Sequence, residues 1–200
     1  MGITMTLKVL GVGSSMRKGS YSTETLRIAL EKASQNGSET KLLSLYDNPL
    51  PFYHERSRGN NSNIDLATEM VKGSDAFILA TPDYHGSMSG SLKNFLDHFW
   101  SDFAGKTFGY ICASHEKGLT VMDHMRTAIR QCYGWSLPYG ISINSTQDFN
   151  SNREITNSRL LMRLNSFSRD LVIYGSLIHE QFKKDLNSNI NNSFAAHYRK

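Results

Sequence analysis

The sequence predicts an α/β fold, a doubly wound parallel sheet with helices on both faces. Three observations lead to it. Short apolar runs alternate with segments whose apolar residues recur at helical spacing, five times in succession. The 200 residues, 39% hydrophobic and 20% charged, suit one domain with a sizeable core. Residues 79–97 read as the end of a buried strand, a turn rich in Pro, Gly and Ser, and the start of an amphipathic helix. Open α/β sheets bind ligands at such a junction.

In chain order, residues 7–13 form an apolar run ending in glycines, followed by a polar loop and then Leu26, Ala29, Leu30 and Ala33 at helical spacing. Ser22 or Thr23 is the expected helix cap, since a side-chain oxygen there can accept an orphan backbone N–H. Asn36-Gly37 ends the helix, and residues 40–45 make a second strand. Residues 47–63, with Pro49, Pro51 and Gly59, read as a long surface loop. Ile64, Ala67, Met70 and Val71 outline a second helix, and residues 76–80 a third strand. Leu92, Phe95, Leu96 and Phe99 mark a third helix, residues 107–113 a fourth strand, and residues 114–118 its outgoing loop. Val121, Met122, Met125, Ala128, Ile129 and Cys132 define the next helix, ahead of a fifth strand at 136–143. After a polar loop at 145–153, Ile155, Leu160, Leu161, Leu164, Phe167, Leu171 and Val172 give a long final helix. Residues 1–182 are expected to form the domain. The Asn-rich tail at 183–200 is expected to be frayed or laid against a partner subunit.

The net charge of +4 comes from scattered cations, which favours anionic ligands such as nucleotides. Nucleic acid is not an expected partner, because aromatic and basic residues do not interleave and no finger spacing occurs. Cys112 and Cys132 lie outside any C-x-x-C arrangement and are expected to be buried thiols. No His pairs with another His or Cys at structural-zinc spacing, so no metal is expected. Without a signal-peptide pattern or an apolar run near the ~18 residues that span a bilayer, no membrane is expected and the expected location is cytoplasmic. Residues 1–6 do fit a loose N-myristoylation pattern.

Ser14, Ser15, Ser20, Ser22 and Thr23 surround Arg17 just ahead of a helix N-terminus. A phosphate needs such directed donors and a positive helix end, though a solvated Ser-rich turn with a helix cap has the same spelling. The chain contains neither G-x-x-x-x-G-K-[ST] nor G-x-G-x-x-G, which leaves a monophosphate as the better fit than a triphosphate or a dinucleotide.

Residues 15–22, Ser-Met-Arg-Lys-Gly-Ser-Tyr-Ser, resemble the G-S-L-R-x-x-S-x-N loop of the NAD(P)H-dependent FMN reductase family, which includes chromate, quinone and azo-dye reductases. Residues 81–94 resemble that family's T-P-E-Y-N-G-S-x-P-G-x-L-K-N more specifically, and the likeness runs from about residue 7 to residue 143. The resemblance implies a flavodoxin-like fold with five strands in the order 2-1-3-4-5 and FMN across their carboxyl ends. Ser15, Arg17, Ser20 and Ser22, with Thr23 beside them, would hold the phosphate. Pro82, Asp83, Tyr84, His85, Gly86 and Ser87 would line the isoalloxazine, with backbone N–H groups of this turn aimed at the flavin. Ser114 and Gly118 would contribute from the third loop; charge and loop placement alone, rather than the resemblance, point His115 and Lys117 to the ribose or 2′-phosphate of NADPH instead.

The flavin carries the difficult chemistry, so no catalytic side chain is expected. The implied function is transfer of hydride from NADPH or NADH to FMN, then of electrons to a small-molecule acceptor such as a flavin or quinone. The alternative is an electron carrier or flavin-binding regulatory module that oxidises no pyridine nucleotide. The family resemblance also implies a homodimer or homotetramer. Three positions depart from the pattern: Asp83 for Glu, His85 for Asn, and Ser89 for Pro.

Overall fold

The strand order places the first strand between the second and third, as expected. In the computed structural model, which describes residues 6–55 and 61–199, β1 (Lys8–Gly13) pairs in parallel with β2 (Glu39–Ser44) on one side and β3 (Ala76–Pro82) on the other. β3 pairs with β4 (Thr107–Ala113), giving the order β2-β1-β3-β4 before the last position. Most of the myristoylation pattern at residues 1–6 lies outside the described residues.

Alternating side chains divide the core between the sheet's two faces. Leu10, Val12, Phe77 and Leu79 face α2 (Ser62–Lys72), α3 (Gly90–Asp97) and α4 (Leu119–Gln131), where Phe77 stacks on Phe108 at 4.7 Å. Val9, Ile78, Ala80 and Ile111 face α1 (Tyr21–Gln35) and the long α6 (Ser158–Leu186), which follows the single-turn α5 (Ser145–Asp148). Phe95, Phe99 and Leu164 are buried here, so they cover the sheet.

The expected fifth strand is split. β5 (Trp135–Ser136) and β6 (Ile141–Ile143) each pair with β4, separated by residues 137–140. Pro138 has no N–H to give to a ladder, and Leu137 donates the last bond, to the Phe108 carbonyl, before the interruption.

The chain end also differs from the expectation. The last helix continues through residue 186, and the tail folds back on its own subunit. Phe194 and Tyr198 sit 5.3 Å apart in a short 3-10 turn (Phe194–Tyr198) against Phe182 and Tyr133. Arg199 donates to the carbonyl of Asp185 in the last turn of the helix, a group with no intrahelical partner, and to that of Ile190 in the tail. The aromatic spacing at 182, 194 and 198 belongs to no helical period, which hid this packing from a periodicity reading.

Candidate functional site

The strand order reverses between β1 and β3, and the loops leaving their carboxyl ends diverge to open a crevice. A cavity of about 480 Å³ lies there, in the size range of ligand sites. Ser15, Arg17 and Ser20 line it from the first loop, Pro82, Asp83 and Tyr84 from the second, and Ser114 from the third. His115 also reaches it. Seven of the thirteen expected site residues therefore share one cavity.

In the first loop, helix α1 starts at Tyr21, so Ser20 rather than Ser22 or Thr23 is its cap residue, and Ser20 makes no side-chain capping bond. Its hydroxyl shares a 2.9 Å hydrogen bond with Ser22, which is buried beneath the loop. Thr23 packs beside Gly13, away from the cavity wall. The amides of Met16, Lys18, Gly19 and Ser20 find no acceptor among the described residues. A buried Ser14 ties this loop to the second: its hydroxyl donates to the Ala80 carbonyl at 2.9 Å and accepts from Ser89 at 2.9 Å. Ser89 also caps α3 by accepting the Leu92 N–H. A Pro at this position could not make either side-chain bond.

The second loop makes a tight turn in which the Tyr84 and Ser87 backbones exchange hydrogen bonds of 3.0 and 3.1 Å. Its two central residues both have positive φ, His85 at 56° and Gly86 at 76°, the dihedrals of a type I′ turn. Among non-glycine residues, Asn, Asp and His are enriched in this region. His85 can therefore stand where Asn is usual without distorting the turn, and its side chain is exposed outside the cavity wall.

Asp83 organises the turn. Its carboxylate accepts the Gly86 N–H at 2.8 Å and the Ser114 hydroxyl at 2.7 Å, while its own N–H donates to Ala113. The Gly86 amide expected to face a ligand is thus already engaged. Ser87 turns outward to His124 Nδ1 at 3.1 Å.

Gly118 caps α4 with φ of 57°, its Cα packed over Cys112. Burial, with the nearby Asp83 charge, pushes the Cys112 thiol up to about 12. It therefore stays protonated at neutral pH and is no nucleophile.

Tyr21 and Arg153 are among the wall residues to which the sequence reading gave no role. Tyr21 opens α1, and Arg153 comes from the loop before α6, its guanidinium 4.5 Å from the Tyr21 ring centroid. The only sequence signal for Arg153 was a cation in a loop leaving the same edge of the sheet. Asn94, inside the more specific motif, does not line the cavity: its side chain accepts the Tyr53 N–H and donates to the Pro51 carbonyl, holding the 47–55 segment. Among the described residues, no group of three or more His, Cys, Asp or Glu is placed to hold a metal, and no helix is long and apolar enough to cross a membrane.

The donor set fits FMN. Free amides, Ser hydroxyls and Arg17 at a helix N-terminus suit a phosphate dianion, and Pro82 with Tyr84 supplies a flat, partly apolar wall for a ring system.

A family model described as NADPH-dependent FMN reductase matches residues 7–148. An FMN-dependent NADPH-azoreductase from Staphylococcus saprophyticus is 27% identical over 149 residues, 70% of this chain and 78% of that one. An NAD(P)H-dependent FMN reductase from Pseudomonas aeruginosa is 32% identical over 116 residues, covering 54% of this chain and 60% of its own. Among solved structures, the flavoenzyme NAD(P)H:(acceptor) oxidoreductase from Paracoccus denitrificans superposes with a TM-score of 0.72 at 17% identity, over 86% of this chain and 98% of that one.

Proposed function

Because this chain belongs to the NADPH-dependent FMN reductase family, we propose that it is an FMN-dependent NAD(P)H oxidoreductase that reduces a small-molecule acceptor of the flavin or quinone type. The observation that carries this reading is the meeting of Arg17, Ser15 and Ser20 with Pro82, Asp83 and Tyr84 around one cavity. When bound, FMN supplies two-electron chemistry between a reduced nicotinamide and a second acceptor.

The protein's residues hold and orient. Arg17, Ser15, Ser20 and the free amides between them would take the phosphate, with Ser22 positioning the Ser20 hydroxyl. Pro82 and Tyr84 would lie along the isoalloxazine. Asp83 would act indirectly: by accepting from Gly86 and Ser114 it fixes the turn before any ligand arrives, so little ordering entropy is lost on binding. Gly86 and Ser87 would shape the turn without presenting these polar groups to the flavin.

Purified protein loaded with FMN and mixed anaerobically with NADPH, and separately with NADH, tests the reading. Loss of the oxidised flavin band is expected, followed by its return when a quinone is added. A flavin that stays oxidised with both nucleotides would overturn the reductase and favour an electron carrier.

A further inference from the structure

Arg153 is delivered to the cavity by a built arm. Residues 149–155 form a tight hairpin: Phe149 and Ile155 bridge, Asn150 N–H donates to the Glu154 carbonyl at 3.0 Å, and Glu154 N–H donates to Asn150 Oδ1 at 2.9 Å. At its base the buried Asp148 carboxylate accepts from Asn144 N–H and from Asn157 Nδ2, both at 2.7 Å. Within this frame Arg153 has φ of 66°, a conformation that costs a non-glycine residue about 1 kcal/mol or more and persists where the surroundings impose it.

The arm meets the first loop at Gly19. A Cβ there would come within 2.9 Å of Arg153 Nη1 and displace the tip of that side chain, and the φ of 63° at Gly19 itself favours glycine. The planar group then lies over Tyr21, which is itself braced by Phe149 at 4.7 Å. Stacking on an aromatic face orients the guanidinium while leaving its donors at the edge.

Arg17, Lys18 and Arg153 line the cavity together with the carboxylates of Asp83 and Glu116. The ion pairs among the described residues use neither Arg17 nor Arg153, and Glu154 next door is bound to Asn150. Two guanidiniums outside any ion pair, with the unbonded amides of Lys18, Gly19 and Ser20 around the same cavity, suit an anion with several acceptor oxygens. We propose that Arg153, carried by this hairpin, is a second guanidinium that holds a phosphomonoester dianion together with Arg17. This deepens the flavin reading: that reaction brings two phosphomonoesters to the cavity, the 5′-phosphate of FMN and the 2′-phosphate of NADPH.

The test compares the wild type with Arg153→Gln and Arg153→Lys. Apoprotein is titrated with FMN and with riboflavin, NADPH is compared with NADH, and melting is followed in rising inorganic phosphate. If the partner is the flavin phosphate, Arg153→Gln weakens FMN binding at least about tenfold, the scale of one charge-assisted contact, while riboflavin binding holds. If it is the 2′-phosphate, the FMN-to-riboflavin ratio is preserved and KM rises about tenfold for NADPH alone. Arg153→Lys recovers part of either loss. A wild type that takes up no flavin but gains melting temperature in phosphate, with that gain lost in Arg153→Gln, would overturn the flavin reading and keep the anion site. Unchanged FMN-to-riboflavin and NADPH-to-NADH ratios in Arg153→Gln, with phosphate-dependent melting equal to the wild type, would overturn the proposal and leave Arg153 as a clamp on Tyr21.

Discussion

At the amino-terminal edge of the sheet the charged groups find partners within the chain, although the buried Ser38 and Thr107 hydroxyls do not; at the carboxyl-terminal edge charged groups are left open. Asp75, just ahead of β3, accepts the Lys8 N–H at 2.9 Å, returns its own N–H to the Lys8 carbonyl, and faces His179 Nε2 at 3.4 Å. Lys106, just ahead of β4, donates to the Val71 carbonyl at 2.8 Å. Across the sheet, amides of the first loop and the guanidiniums of Arg17 and Arg153 end at the cavity without a chain partner of opposite charge. Positive φ occurs at both edges, at Gly19, His85, Gly86, Gly118 and Arg153 here and at Gly37, Gly105 and Tyr133 opposite. A buried polar group contributes to folding only if the fold itself satisfies it. Groups held in place but unsatisfied keep their bonding capacity for a ligand, so one edge stabilises and the other recognises.

The contrast can be broken at Lys106 first. Desolvation pushes it from 10.5 down to about 8, against the pull of Asp75 and Asp102. Below pH 8 the ammonium is charged whether the chain is folded or unfolded, and folding must strip it of water. Between pH 8 and 10.5 the unfolded chain binds the proton more tightly, so this lysine's effect is a stability that rises with pH. The stability gap between wild type and Lys106→Met should therefore change by on the order of 3 kcal/mol across that window, in favour of the wild type at high pH. Denaturant unfolding at pH 7 and pH 10 reads it, and a constant gap would refute the buried-charge account.

Arg17→Ala comes next. FMN affinity should fall by about ten- to a hundredfold, the scale of a charge-assisted contact, while the melting temperature of the apoprotein holds. A large loss of apoprotein stability would mean that this edge supports the fold after all. The mirror experiment is Asp75→Ala, expected to cost about 1–3 kcal/mol of stability through the unpaired Lys8 amide, with FMN affinity unchanged. The smallest effect belongs to the type I′ turn. His85→Asn should alter stability by less than about 0.5 kcal/mol, because Asn tolerates positive φ, whereas His85→Val should cost about 1 kcal/mol or more. Equal behaviour of the two variants in thermal melts would show that the backbone conformation is not what selects residue 85.

Much of this edge was legible before any coordinates. The hydroxyls around Arg17 and the 81–94 motif are local signals, because loop chemistry and helix starts are written in adjacent residues. Ser22 or Thr23 was expected to cap α1, yet the cap is Ser20, whose hydroxyl bonds Ser22 rather than a helix amide. Asp83 was placed along the isoalloxazine with its side-chain role left open; the bond from Ser114 that fixes it comes from the neighbouring strand end and cannot be inferred from its own segment.

By itself, then, the sequence determined the alternation of strands and helices, the sheet order through the family resemblance, and the two motif loops, all of which depend on local periodicity and spelling. Tertiary structure alone decided which loop residues face the cavity, how the tail closes over α6, and that Arg153 stands over Tyr21 from 132 positions away in the chain. Such pairings bring together segments whose sequences carry no mark of one another, and only the packing of helices and loops at one end of the sheet makes them neighbours.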